Sequence, residues 1–283
     1  MRHSVFLVMS LGGALAVSGC GGDARVKQAV NEINAADQAN LEELMLSVGD
    51  PNEAVVYFQN AATREPERID LQRNLAKSLI RAGKPVEAAS TWQRVVNLSK
   101  STPEDKVMLA DAQIRANEWT KARATLATVP PTHESYDRYR LEAMVADSEK
   151  KWGKADSFYE TAVGLTTTPA SVLNNWGYSK LTRKDYAGAE KLFLQALTYD
   201  PSRFTAKNNL VMARAAQRKY DLPVIRMTQP ERAELLYTAA LVAIKQGDVS
   251  VGRGLLQQAV ETHPRHFEAA ARSLAALDGN PNN

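Results

Sequence analysis

The sequence predicts an all-α chain built from a repeated unit, and three observations carry that expectation. Alanine recurs at Ala54, Ala88, Ala122, Ala155 and Ala189, in steps of 34, 34, 33 and 34 residues. A large residue follows four positions after each of these alanines, at Phe58, Trp92, Leu126, Tyr159 and Phe193. A small or branched residue follows three positions later, at Ala61, Val95, Val129, Ala162 and Ala196, one helical turn on and therefore on the same face. Aromatic content of 7% with abundant alanine suits closely packed helices better than a sheet sandwich.

The segments Asn52 to Ala61 and Tyr186 to Ala196 share the same alanine, aromatic, alanine spacing, and a proline follows each at Pro66 or Pro201. This pattern resembles the tetratricopeptide repeat, a 34-residue pair of antiparallel helices, A and B, with small residues where they cross. Numbered 1 to 34, the alanines above fall at position 20, the large residues at 24 and the small ones at 27. Position 8 falls on Glu42, Ala76, Ala110, Ala143, Gly177, Val211 and Ala240, and Gly252, Leu256 and Ala259 continue positions 20, 24 and 27. The resemblance implies a solenoid of stacked helix pairs with a C-terminal capping helix. No pair buries its outer face alone, so stacking is obligatory.

The elements follow in order. Repeats span about 35–68, 69–102, 103–136, 136–169 and 170–203, and helix A of a partial sixth runs over 204–220, so that repeats occupy 35–220. Turn residues stand between the helices at Gly49-Asp50-Pro51, Gly83-Lys84-Pro85 and Lys184-Asp185. The third repeat ends early at Pro130-Pro131, which cannot continue a helix and accounts for the 33-residue step. Asp221-Leu222-Pro223 breaks the sixth, and a linker is expected over 221–232. A last pair at 233–266 turns at Gly247-Asp248, Phe267 to Leu277 reads as the cap, and the polar tail closes a C-terminal region of 233–283.

The N-terminus carries a different signal. Arg2 and His3 precede an apolar run from Val5 to Val17, too short for the ~20 residues a spanning helix needs. It fits a secretory leader over 1–19. The run ends Val17-Ser18-Gly19-Cys20, which resembles the bacterial lipobox and implies cleavage before Cys20 and a covalent lipid on its thiol. A plain signal peptide is the alternative. Cys20 is the one cysteine in the chain, so no internal disulfide forms. Residues 20–34 then form the lipidated N-terminus and tether, and Gly21, in place of aspartate, implies the periplasmic face of the outer membrane in a Gram-negative host.

Composition excludes some functions. The net charge is +3 from 35 basic and 32 acidic residues, a small excess that argues against nucleic acid as a partner. No phosphate-binding glycine loop, zinc helix motif or nucleophile elbow is visible, so no enzyme, cofactor or small-molecule substrate is expected. His263 and His266 flank Pro264 at a helix end without a third ligand, and His133 stands alone in a loop, so no metal is expected. All four tryptophans (Trp92, Trp119, Trp152 and Trp176) occupy repeat positions that read as packing, and the carboxylates read as solvent-face charges.

Asparagine recurs at position 6 of helix A, at Asn40, Asn74, Asn175 and Asn209, although it costs ~0.5 kcal/mol or more against alanine inside a helix. In the repeat family, positions 2, 5, 6, 9 and 13 line the concave face, and some members use this asparagine to bond an extended peptide backbone. An amide both donates and accepts. Neighbouring groove candidates are Arg73, Lys77, Arg81, Asn174, Tyr178, Thr205 and Asn208. Bonding to adjacent helices is the alternative role for the asparagines. Met108 and Leu141 interrupt the ladder, so two short sites, at 36–81 and 171–216, are expected rather than one long one.

The order of lipobox, repeats, Asp221 to Ile225 linker and Gln246-Gly247-Asp248 resembles the TadD-type lipoproteins of the tight adherence (Flp) pilus system. That resemblance implies assembly or localisation of a secretin through protein binding. Type IV pilotins, barrel-assembly lipoproteins and accessory proteins of cytochrome c or peptidoglycan biogenesis share the same parts and remain alternatives.

Overall fold

The computed structural model describes residues 38–279. The leader, Cys20 and the tether lie outside the described residues, as do the last four residues of the tail. Every regular element described is helical. The chain falls into two compact units, one ending at Gly83 and the other beginning at Lys84.

The first unit contains helical residues 38–47 (α1), α2 (Pro51–Arg64) and α3 (Ile69–Arg81). Asp50 caps α2 by accepting from the backbone N–H groups of Asn52 and Glu53, and Pro51 fills the first helical position, where no N–H is needed. Ala54, Phe58, Ala61, Leu71, Leu75 and Ala76 are buried here.

The second unit runs through α4 (Pro85–Asn97), α5 (Pro103–Arg115), α6 (Trp119–Leu126), α7 (Tyr136–Ser148), α8 (Trp152–Gly164), α9 (Ala170–Thr182) and α10 (Tyr186–Tyr199). It continues with α11 (Phe204–Ala215), α12 (Gln229–Lys245), α13 (Val249–Thr262) and α14 (Glu268–Asp278). Each helix packs on the next, and α5, α7, α9 and α11 also touch in series, which stacks the helix pairs with their A helices along one side. The repeat positions are the core: Ala122, Ala155 and Ala189 are buried at position 20, and Tyr159, Phe193 and Leu256 at position 24. The close approach is tight at both small positions. A Cβ on Gly177 (position 8) would lie 2.6 Å from Phe193, and one on Gly252 (position 20) would lie 3.1 Å from the Ala240 carbonyl.

Helix A ends the same way along the second unit. Asn117, Lys150, Lys184 and Arg218 have φ of 62°, 58°, 69° and 60°, and Gly247 has 87°. Gly83, closing the first unit, has 70°. All six stand at position 15. Each leaves the helix in the left-handed conformation, which lets the next N–H reach back to the helix: Asp185 N–H bonds the Lys180 carbonyl at 2.9 Å, and Lys219 N–H bonds that of Arg214 at 3.1 Å.

The sixth repeat departs from expectation. Its helix A stops at Ala215 rather than 220, because Arg218 makes the same left-handed exit as its counterparts. The linker also ends early. Thr228 and Glu231 form a reciprocal capping box, with Thr228 N–H bonding the Glu231 carboxylate at 2.7 Å, so α12 starts at Gln229 rather than 233. No helix B follows α11. A non-helical strap over 216–228 takes its place, and Ile225 from it packs on the core of Leu173, Leu192, Phe193 and Leu210.

Candidate functional site

A cavity of about 480 Å³ opens on the A-helix side of the second unit. That volume lies within the ~300–1,000 Å³ of small-ligand pockets. Trp119 starts α6 and Trp152 starts α8, and both contribute walls. Helix α7 supplies Met144, Asp147 and Ser148, while α9 supplies Asn174, Asn175, Tyr178, Ser179 and Thr182. Tyr159 from α8 and Thr205 and Asn209 from α11 complete the lining.

Five of the residues expected from sequence thus meet here: Asn174, Asn175, Tyr178, Thr205 and Asn209. Their roles differ. Asn209 and Asn174 are buried, and the Asn209 amide donates to the Asn174 side-chain oxygen at 3.1 Å, tying α11 to α9. Asn175 is half-buried and makes a weak contact with the Met144 sulfur at 3.8 Å, while Tyr178 and Thr205 are exposed. Asn208 points elsewhere: it accepts from the Thr238 hydroxyl of α12 at 2.7 Å.

The first unit holds the other candidates. Asn40 and Lys77 are exposed, Asn74 is half-buried, and Arg73 is half-buried and engaged. Arg81 is committed to the fold, since its guanidinium donates to the carbonyls of Met45 and Gly49 at 2.7 and 2.8 Å and so closes the end of α1.

Residues that the sequence marked as packing or solvent-face positions also shape the cavity. Asp147 accepts from the Tyr159 hydroxyl at 2.8 Å and the Ser179 hydroxyl at 2.7 Å. Burial raises its carboxyl above the usual range, and the two hydroxyl bonds oppose that shift without cancelling it. Burial, reinforced by the charge of Asp147, pushes the Tyr159 hydroxyl well above its ordinary value. The available signal was spacing: Asp147 stands four residues after Ala143, on the helix stripe that otherwise carries packing residues. Trp119 and Trp152 are half-buried and line the cavity; Trp119 also packs against the core of Val107, Ala110 and Leu141, as its repeat position implied.

A charged cluster on α8 and α9 adjoins the cavity through Trp152. Asp156 accepts from Trp176 Nε1 at 2.6 Å, from Arg183 at 2.6 Å and from Lys180 at 3.2 Å. Burial acts to raise its carboxyl, but the bonds from Arg183, Trp176 and Lys180 outweigh it and hold the group below the usual range. Arg183 also lies over the Trp152 ring at 5.7 Å. A larger cleft of about 710 Å³ runs between α10 and the strap, past Leu194 and Ile225, and none of the expected groove residues lines it.

The three described histidines make local contacts: His133 meets Glu104 at 3.0 Å, His263 Nδ1 meets the backbone of Arg265 at 2.7 Å, and His266 meets Glu268 at 2.8 Å. Among the described residues, no helix is long and apolar enough to cross a membrane.

Comparison with known proteins agrees with this geometry. Tetratricopeptide repeat models match residues 45–104 and 174–222. The tetratricopeptide repeat and J domain-containing co-chaperone DNJ1 of Fusarium oxysporum is 28% identical over 114 residues, which cover 38% of this chain and 22% of that protein. Among solved structures, a tetratricopeptide repeat protein from Parabacteroides merdae matches with a TM-score of 0.57 at 13% identity, over 86% of this chain and 98% of that one. The APC/C hetero-tetramer Cut9–Hcn1 gives 0.59 at 16% identity, over 83% of this chain and 47% of that one. Pseudomonas aeruginosa pilF gives 0.51 at 15%, over 76% and 99%. At these identities the structural likenesses establish the fold alone.

Proposed function

We propose that this tetratricopeptide-repeat chain is a membrane-tethered scaffold that works by holding an extended segment of a partner protein. Tetratricopeptide repeats, whose models match residues 45–104 and 174–222, typically serve as protein-interaction scaffolds. The observation that carries the proposal is the cavity on the A-helix side, where Asn175 and Tyr178 keep polar groups open to a ligand while Asn174 and Asn209 hold the helices in place. A side-chain amide beside an aromatic ring suits a peptide, bonding its backbone and covering its side chains.

The tether reading rests on the leader and Cys20. A lipid there, at the periplasmic face of the outer membrane, would fix where the partner is held, and two or more acyl chains are needed for stable attachment. Among partners, the sequence likeness to TadD-type lipoproteins favours a pilus secretin, with pilotin, barrel-assembly and periplasmic accessory roles as the other outcomes.

The test is crosslinking and co-purification from intact membranes, with the native chain beside the double variant Asn175→Ala, Tyr178→Ala. Recovery of a secretin that is lost with the double variant supports the full reading. Recovery of barrel-assembly proteins moves the role without changing the site. Equal recovery by both chains removes the cavity from partner binding. Cys20→Ser protein that still sediments with membranes after a salt wash removes the lipid tether.

A further inference from the structure

The cavity contains a carboxylate with no ion-pair partner: Arg183 acts on Asp147 from beyond ion-pair distance and is itself bonded to Asp156. Among the described residues that line it, Asp147 carries the one formal charge at neutral pH. No lysine or arginine among the described residues pairs with it. The nearby cations are taken: Arg183 bonds Asp156 at 2.6 Å, and Arg140 bonds Asp111 and Asp137 at 3.1 and 2.9 Å. Each carboxylate oxygen of Asp147 accepts one hydroxyl bond, from Tyr159 or Ser179, which leaves a further lone pair on each. Trp119, Trp152 and Tyr178 stand around the same space.

A half-buried carboxylate without a directly paired cation is costly to keep, whereas a charge-assisted bond to an incoming cation is about twice as strong as a neutral one. Aromatic faces attract the same kind of ligand through their quadrupoles. An anionic segment would meet Asp147 with repulsion, and a neutral donor would bond it without neutralising it. We infer that this cavity takes a lysine or arginine side chain from the extended segment of the partner protein, with Asp147 as counter-charge and Trp119, Trp152 and Tyr178 as walls. The inference rests on the peptide-holding reading above and adds the chemistry of the anchor residue.

The test uses the full chain in detergent and four peptides, acetyl-Ala-Ser-Ala-Xaa-Ala-Ser-Ala-amide with arginine, lysine, glutamine or glutamate at the centre. Binding is read by calorimetry and by tryptophan fluorescence. The arginine and lysine peptides are expected to bind at least ten-fold more tightly than the glutamine peptide, with the glutamate peptide weakest. Asp147→Asn, checked for folding by circular dichroism, should abolish that preference, while Asp147→Glu retains most of it. If Asp147→Asn does not fold, the comparison of peptides on the native chain and the Asp147→Glu variant decide the matter. Equal binding of the glutamine peptide, a preference that survives in Asp147→Asn, or no saturable binding of the arginine peptide at millimolar concentration overturns the inference. Partner capture that depends on Asn175 and Tyr178 would survive each of those results, so the anchor chemistry and the peptide-holding reading fail separately.

Discussion

Gly177 and Phe193 interlock across the α9–α10 pair, with space for hydrogen but not for a methyl group between them: an added Cβ would sit 2.6 Å from Phe193 Cε1 and 2.8 Å from Cδ1. Phe193 is itself fully enclosed, so its ring has nowhere to retreat. Alanine at 177 brings about 1 kcal/mol of helix propensity and meets an overpacking cost of ~1–3 kcal/mol. Gly177→Ala is therefore expected to lower stability in urea unfolding, and a more stable variant would show that the pair can separate freely.

The left-handed residue at position 15 leads to a second expectation. Lys184 adopts φ of 69° with a side chain that gains nothing from it, whereas Gly247 adopts 87° at no steric cost. Lys184→Gly should raise stability by about 1 kcal/mol and Gly247→Ala should lower it by a similar amount. Thermal melts of the two variants read both signs. An unchanged Tm in both would mean that the turn relaxes when its residue is exchanged.

Lys207 is buried and meets the Glu231 carboxylate at 2.8 and 3.0 Å, linking α11 to α12. Burial acts to raise the Glu231 carboxyl, but the bond from Lys207 and the cap on Thr228 hold it below the usual range. The stabilisation is present above the ordinary glutamate range and is lost as pH falls through the depressed value. Glu231→Gln leaves Lys207 buried without its counter-charge and is expected to cost about 3 kcal/mol at pH 7. The gap between native and variant should narrow on acidification. A gap that is constant down to pH 3 would refute the pairing as its source.

The packing of the fold was written in the sequence because its cause is local and repeated. Ala155 or Phe193 recurs at a fixed step, and each recurrence reports the same contact between helices. The end of α11 was not legible in the same way. Arg218 looks like any helix-forming residue, and only the backbone shows it repeating the exit that Gly83 and Gly247 make visible. The cavity was half legible. The recurrence of asparagine at position 6 led to the right face but did not separate Asn209, turned inward onto Asn174, from Asn175, which borders open space. Asp147 escaped notice because one carboxylate on a charged helix is indistinguishable from its neighbours until Tyr159 and Ser179 are seen to enclose it. Asn40 and Arg81 shared a position pattern with the cavity residues, yet Arg81 serves the end of α1.

The strap over 216–228 is a stacking fault in a one-dimensional lattice. From α5 to α11 the second unit alternates A and B helices, and at the strap one B layer is left out, so α11 meets α12 directly through Lys207–Glu231 and Asn208–Thr238. Arg218 and Tyr220 pin the edge of the fault to Asp248, the turn between α12 and α13. In a linear array, disorder spreads by nearest-neighbour coupling. Fraying that begins at α14 therefore advances through α13 and α12 and then meets the one junction in this series where an A helix is followed directly by the next A helix without a B helix between them. The missing layer makes that junction a grain boundary, where the last three helices can loosen as a block while the walls around Asp147 stay in register.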